Sequence, residues 1–305
     1  MSGLDLLIVG DCNPDLVLRG RDVAPVFGQV ERLVQEAELT IGGSAAITAC
    51  GAARLGLRTG LASVVGNDPF GRFMLDALAE RGVDISGIVV QAKARTGVTV
   101  VLVRGSDRAM LTALGTISEL TPELVERRLL HAARHVHVSS YFLQERLRAG
   151  LAELLREARE AGASTSVDPN WDPAEEWDGG LLELLEEVTV LFVNAEEARR
   201  IARVKDVEEA GRTLSRGGEV LVVVKLGAEG ALALAGDHMV RVAAVEVEEV
   251  DAVGAGDSFD AGFLAGHLAG KPLEETLRLA TSCGALSMRA AGGTAAQPSM
   301  EEAIA

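Results

Sequence analysis

The sequence predicts an α/β fold, with a mainly parallel central sheet covered by helices on both faces and a small accessory β-sheet, all in one domain. Three observations lead there. Short apolar runs alternate with helical periodicities along most of the chain, which is the rhythm of βαβ units and of strands buried on both faces. The helical stretches close on Gly, as a helix C-terminus does. Two other regions are rich in strand residues and turns and lack long helices.

Taken in order, "LDLLIVG" (residues 4–10) reads as a buried strand, and "GLASVVG", "HVHVSS", "STSVD", "TVLFVN" and "VLVVVK" repeat the pattern. Between most of them lie "GSAAITACGAARLG", "PFGRFMLDALAERG", "ERLRAGLAELLREAREAG" and "VEEAGRTLSRGG", each a helix by its spacing. The departures are "DLVLRG", "EAELTI" and "TGVTVVLVRGSDRAMLTALG", which predict lid strands inserted at about residues 13–41 and 96–113. Thr and Val alternate in "TGVTVVLV", so one face either meets a partner or ligand or closes the edge of the core. No repeat, low-complexity segment or long linker interrupts the 305 residues.

Composition narrows the function classes. A net charge of −16, one Tyr and two Trp oppose a nucleic-acid partner, which requires basic surface and stacking platforms. A local basic pocket for a small phosphate ester stays compatible with that charge. No apolar stretch approaches the roughly 20 residues that cross a bilayer, and the N-terminus lacks a basic leader, so no membrane association and a cytoplasmic location are expected. Cys12, Cys50 and Cys283 are far apart and form no C-x-x-C pair, as expected of reduced core thiols.

In open α/β sheets ligands bind beyond the carboxyl ends of the strands. The residues there are polar: Asp11, Asn13 and Asp15 after the first strand, Asp168 and Asn170 after "STSV", Asn194 and Glu197 after "TVLFV", and Lys225 after "VLVVV". "VDAVGAGDSFDAGFLAG" (250–266) sets Gly254 and Gly256 against Asp257 at the mouth of an apolar helix. Glycines that allow positive φ, together with a helix N-terminus, gather backbone amides around an anion and stabilise charge developing on a migrating phosphoryl group. Asp257 beside them is placed to take a proton from an attacking hydroxyl. The alternative is a tight turn with Asp257 as N-cap. Two nucleotide motifs fail: a dinucleotide fingerprint needs Gly where Phe259 stands, and a P-loop needs Ser or Thr where "GHLAGKP" has Pro272.

From these motifs the chain resembles the ribokinase-like (PfkB) family of carbohydrate and nucleoside kinases nearly end to end. "DAVGAGD" (251–257) is similar to its C-terminal signature, and "IGGSAAITACGAARLG" to its N-terminal one. The resemblance implies a three-layer α/β/α sandwich with a β-sheet lid, and transfer from ATP to a sugar or nucleoside hydroxyl. It implies an anion hole of Gly254, Ala255 and Gly256, with Asp257 as catalytic base. Gly42 and Gly43 would offer amides to substrate hydroxyls, and Asn13 and Asp15 would accept from them. "NAEE" resembles the element whose Asn194 and Glu197 order Mg2+ through water, with helix capping as the other reading. "KLGAEG" resembles the nucleotide loop, putting Gly227 and Gly230 beside ATP; Lys225 either approaches the phosphates or caps its strand. A K+ site by Asp251 and a homodimer through the lid are also implied. Two departures bear on the substrate: Ile47 stands where many relatives have a substrate-binding Asn, and Asp172 stands where Arg is common.

Other features carry less. His131, His135 and His137 lack the ligand spacing of a zinc site. The Glu/Arg series in "ERLRAGLAELLREARE" reads as i,i+4 pairs on a solvated face, or else as a partner-binding helix. A catalytically idle sugar- or nucleoside-binding regulator is the competing function, and Ile47 and Asp172 are the features it would cite. A nicotinamide dehydrogenase is opposed by the missing fingerprint.

Overall fold

Alternation along single strands sets the layers of the molecule. The computed structural model describes residues 3–105 and 107–305. Its strands are β1 (Leu4–Val9), β2 (Asn13–Arg19), β3 (Glu36–Gly42), β4 (Thr59–Gly66), β5 (Ile88–Gln91), β6 (Val98–Arg104), β7 (Asp107–Ala113), β8 (Ala133–Ser139), β9 (Ser164–Asp168), β10 (Val190–Asn194), β11 (Leu221–Lys225), β12 (Ala231–Ala235) and β13 (His238–Val242). Among the described residues, nine form a sheet in the order β13-β12-β11-β10-β9-β8-β1-β4-β5, parallel from β11 to β5 and antiparallel at β12 and β13.

In β1, Leu6 and Ile8 enter one core while Leu7 and Val9 enter the other, as a side-chain period of two requires. The first core is closed by helices Ser44–Arg54, Pro69–Glu80, Ala255–Leu268 and Leu273–Ser287. The second is closed mainly by Leu151–Glu160, Ala195–Ala202 and Val207–Leu214. The result is the α/β/α sandwich expected from the alternating pattern. Phe192 of β10 and Phe263 of the Ala255 helix, both fully buried, meet edge to face at 5.3 Å between centroids; burying each side chain contributes about 1.5–3 kcal/mol.

Strand order reverses between β1 and β8: the chain first runs outward through β4 and β5, then returns to place β8 on the other side of β1. That switch point opens a crevice at the carboxyl end of β1. Over it lies the four-stranded sheet, in the order β3-β2-β6-β7, with β2 parallel to β6 and the outer pairs antiparallel. Val17, Ile41 and Val101 of this lid are buried, whereas every residue of β7 is exposed.

The structure differs from the sequence expectation in three places. β12 and β13 form a hairpin around Gly236 and Asp237, for which two alternating runs split by Gly-Asp were a usable signal. β5 is a four-residue edge, too short for periodicity to reveal. The expected helix over 145–162 breaks into Glu145–Arg148 and Leu151–Glu160, because Gly150 passes against Pro122, where a Cβ would lie 3.0 Å from its ring. No helix among the described residues is long and apolar enough to cross a membrane.

Candidate active site

β1 delivers Asp11 to the crevice, where it acts on the backbone. Asp11 is buried; its Oδ1 accepts from Ala45 N at 3.0 Å and its Oδ2 from Ser44 N at 3.1 Å. It thereby caps the helix Ser44–Arg54, whose own N-cap, Gly43 (φ 81°), has no side chain for the task. This cap fixes the Gly42-Gly43 corner beneath the lid. Asn13 and Asp15 open β2, both buried, with Asn13 Nδ2 3.4 Å from Thr99 Oγ1 and 3.5 Å from Asp15 Oδ1. The Asp15 carboxylate fills the space that a side chain on Gly42 would take. Burial pushes the Asp15 carboxyl up to about 7, with the negative charges of Asp11 and Asp251 adding to it.

Gly254 turns the chain into the helix Ala255–Leu268 with φ 72° and ψ 6°. A Cβ in that left-handed conformation would also come within 2.7 Å of Gly293 Cα, so glycine is required twice over. The helical ladder starts with Ser258 N donating to Gly254 O at 2.9 Å, and Ala255 N turns back to Ala252 O at 3.3 Å. The amides of Gly256 and Asp257 therefore precede the ladder, at the positive end of the helix, where an anion is favoured. Gly256 departs from the expectation: its φ is not positive, and a Cβ there would make ordinary contact with Lys225 Nζ at 3.5 Å. Its bare Cα instead keeps the space above Lys225 clear.

Asp257 is not the N-cap; Gly254 is, and no side chain caps this helix. Asp257 is only 9% exposed. Its carboxyl is pushed up to about 7, first by burial and then by the Asp168 charge, with Lys225 and the Ser44 hydroxyl opposing.

The ends of β9, β10 and β11 add a charged cluster. Lys225 Nζ lies 2.5 Å from Asp168 Oδ2 and 3.3 Å from both Asp260 oxygens. Asp260 follows Asp257 by three residues and so shares its helix face. Burial works against the Lys225 ammonium, but Asp168, Asp260 and Glu197 outweigh it and hold its proton more tightly than in an ordinary lysine. Burial likewise raises Asp168, but Lys225 and its hydrogen-bond donors reverse the balance and keep it below the usual carboxylate range. Asp260 is driven well upward by burial.

Asn194 and Glu197 form a capping box on helix Ala195–Ala202: Asn194 Oδ1 accepts from the amides of Glu196 and Glu197 at 2.9 Å, and Glu197 Oε2 accepts from Asn194 N at 2.8 Å. Glu197 is buried beside the cluster, and burial followed by the Asp168 charge pushes it up to about 7. Gly227 (φ 59°) and Gly230 (φ 93°) shape the turn from β11 into β12.

Three residues that the sequence sets apart have structural partners of their own. Ile47, expected at the substrate face, is 3% exposed and packed behind Gly254 and Gly293, because the first turn of its helix points it at the Gly254 turn. Asp172 accepts backbone N–H groups from Ala174, Glu176 and Trp177 at 2.7–2.9 Å, so it closes a turn. Asp251, expected beside a monovalent cation, has the guanidinium of Arg19 on its carboxylate at 2.7 Å. His135 and His137 hydrogen-bond to Ser166 Oγ on the buried face of β8 and β9. Asp260 and Arg19 were not singled out from the sequence; helical spacing from Asp257 was a signal for the first, and nothing local signals the second.

Residues 4–300 match the family described as pfkB family carbohydrate kinase. The chain is 34% identical to a fructokinase of Salmonella typhimurium over 84% of this chain and 88% of that one. It is 30% identical to an ATP-dependent ribose-1-phosphate kinase of Halopiger xanaduensis over 95% and 94%. A crystal structure of a putative ribokinase II from E. coli in complex with ATP and Mg2+ superimposes with a TM-score of 0.86, at 25% identity, over 99% of this chain and 98% of that one. With its sandwich, its lid and the Gly254–Asp257 turn at the switch point, this chain belongs to the pfkB family of carbohydrate kinases, phosphotransferases that act on an alcohol group.

Proposed function

We propose that the enzyme transfers the γ-phosphoryl group of ATP to a primary hydroxyl of a small sugar or sugar-like substrate, with Asp257 as general base. The observation that carries this reading is Asp257 itself, a nearly buried carboxyl near neutrality, set against open amides at a helix start. As the substrate oxygen attacks the γ-phosphorus, its proton passes to Asp257 and the bond to the bridging oxygen of ADP breaks. The open amides of Gly256 and Asp257, with that of Gly254, stabilise the charge gathering on the migrating group; Ala255 N, expected among them, is instead turned back to Ala252 O.

Asn13, Asp15, Gly42 and Gly43 hold the sugar, and Lys225, Gly227 and Gly230 border the nucleotide. The residues suit Mg2+ held through water: no group of three His, Cys, Asp or Glu converges on a direct site among the described residues, and Glu197 spends one oxygen on its cap. Bound by Asn194 and Glu197 in that way, the ion would neutralise phosphate charge.

Similarity to kinases named for fructose and ribose 1-phosphate supports a sugar over a nucleoside. We read the whole chain as one domain that dimerises through the lid, where Met110 and Leu111 of β7 are about 60% exposed; light scattering tests this. ATP as donor and three buried free thiols support a cytoplasmic setting. The deciding experiment is ADP release with ketohexoses, ribose, keto-deoxy sugar acids, inositols and nucleosides. Turnover of a sugar that Asp257→Asn abolishes is expected. Preference for a nucleoside would overturn the substrate class, and tight sugar binding without turnover would favour an idle regulator.

A further inference from the structure

Three chain segments converge on Asp251. Its Oδ1 accepts from Val253 N at 3.0 Å, and its Oδ2 accepts from Gly292 N at 3.0 Å and from Arg19 Nη2 at 2.7 Å. The carboxylate is 5% exposed and the guanidinium 19%. Burial raises Asp251, yet the two amides and Arg19 outweigh it and keep the group ionised. Arg19 arrives from the lid, 232 residues away in sequence, as the last residue of β2. It stands two and four places after Val17 and Asp15, on their strand face.

A monovalent metal ion at Asp251, which family resemblance implies, does not fit this arrangement. Oδ2 already faces a full positive charge, and a second cation on the same oxygen would meet the guanidinium at close range with little water between them. We infer that Arg19 is the built-in cation of the anion-hole loop, so that this kinase works without a monovalent metal. The connection runs from Arg19 to Asp251, from Asp251 to Gly292, and from neighbouring Gly293 to Gly254, whose Cβ position is 2.7 Å from Gly293 Cα. Arg19 is a positioning residue, since it is bonded to the loop and acts on the phosphoryl group only through it. Because the same strand carries Asp15, the charge that orders the loop comes with the lid that covers the sugar. The inference rests on Gly254–Asp257 being the phosphoryl site.

The test compares the full-length wild type with Arg19→Met and Arg19→Lys, in buffers of matched ionic strength containing K+ or tetramethylammonium. Melting temperature and steady-state kinetics are read with the sugar that the panel identifies. The wild type is expected to melt and turn over alike in both buffers. Arg19→Met should lose kcat by about 10–100-fold, the size of a small misplacement at a reacting centre, with the sugar KM moving far less. K+ or added guanidinium should raise its melting temperature and restore part of kcat. Arg19→Lys should recover part of the loss by supplying charge without the planar fork.

A wild-type rate that collapses without K+ overturns the inference. So does an Arg19→Met enzyme that matches wild type, or one whose loss neither K+ nor guanidinium relieves. If no sugar is phosphorylated the kinase reading fails by itself, and the melting temperatures still judge Arg19, because they need no turnover.

Discussion

The side chain of Ile47 lies 3.0 Å from where a Cβ on Gly254 would stand and 2.6 Å from the equivalent point on Gly293. It is a wedge between the helix that follows Gly42-Gly43 and the Gly254–Asp257 turn, and Gln297 reinforces it by donating to Ile47 O at 2.9 Å and to Ser258 Oγ at 3.1 Å. Ile47→Ala is therefore expected to destabilise the fold by about 2–4 kcal/mol through the cavity it leaves. It should also lower kcat by roughly tenfold as the loop relaxes, with a smaller change in sugar KM. A large KM change with kcat intact would return Ile47 to the substrate face.

Rate should depend on pH through Asp257. A general base acts only when deprotonated, and this carboxyl stands at about 7. The value of kcat/KM is expected to level off above neutrality and to fall about tenfold per pH unit below it. Asp15, also at about 7, sharpens the fall if its ionised form binds the sugar. A profile that stays flat down to pH 5 would contradict the assignment.

Stability should respond in the opposite sense. An acid whose folded pKa is raised above its unfolded one binds its proton in the native state between about pH 4 and 7, so native stability declines as pH rises through that window. Asp257→Asn removes the contribution. The variant is expected to be more stable than wild type at pH 8 by up to a few kcal/mol, since each tenfold change in proton affinity corresponds to about 1.4 kcal/mol. The difference should vanish near pH 4. Turnover should meanwhile drop by about 10²–10⁴-fold. Melts in a pH series and the ADP assay read both effects.

Lys225 balances Asp168 and Asp260 in a nearly closed space. Lys225→Met leaves those carboxyls without their counter-charge and should cost about 3–5 kcal/mol at neutral pH. The loss should shrink toward pH 5 as the acids take up protons. Adding Asp168→Asn, which removes the carboxylate closest to the lost ammonium, should recover part of it, which denaturant titration of the single and double variants will measure. Equal stability of Lys225→Met and wild type at pH 7 would mean the cluster is not coupled.

Local pattern was enough for much of this molecule. Short continuous apolar runs marked the central strands from β1 to β11 apart from the short edge, since a strand buried on both faces must be apolar on both. The lid announced itself by turns and missing helices. The turn at Gly254 and the carboxylate after it were legible because positive φ and a helix start are written within a few residues of one another.

What only the tertiary structure decided concerns groups far apart in the chain. Asp11 caps a helix that begins 33 residues later, and Ile47 faces the loop behind the site. Asn194 and Glu197, which the motif left open, form a capping box while Glu197 stays in the field of Asp168. Arg19 meets Asp251 across nearly the whole sequence. Local spacing carries propensity and periodicity, but pairing and burial depend on which elements the sheet order brings together. For that reason the Gly254 turn and the acid after it were readable from residue types, whereas the burial that pushes the Asp257 carboxyl up and the pairing of Arg19 with Asp251 follow from packing.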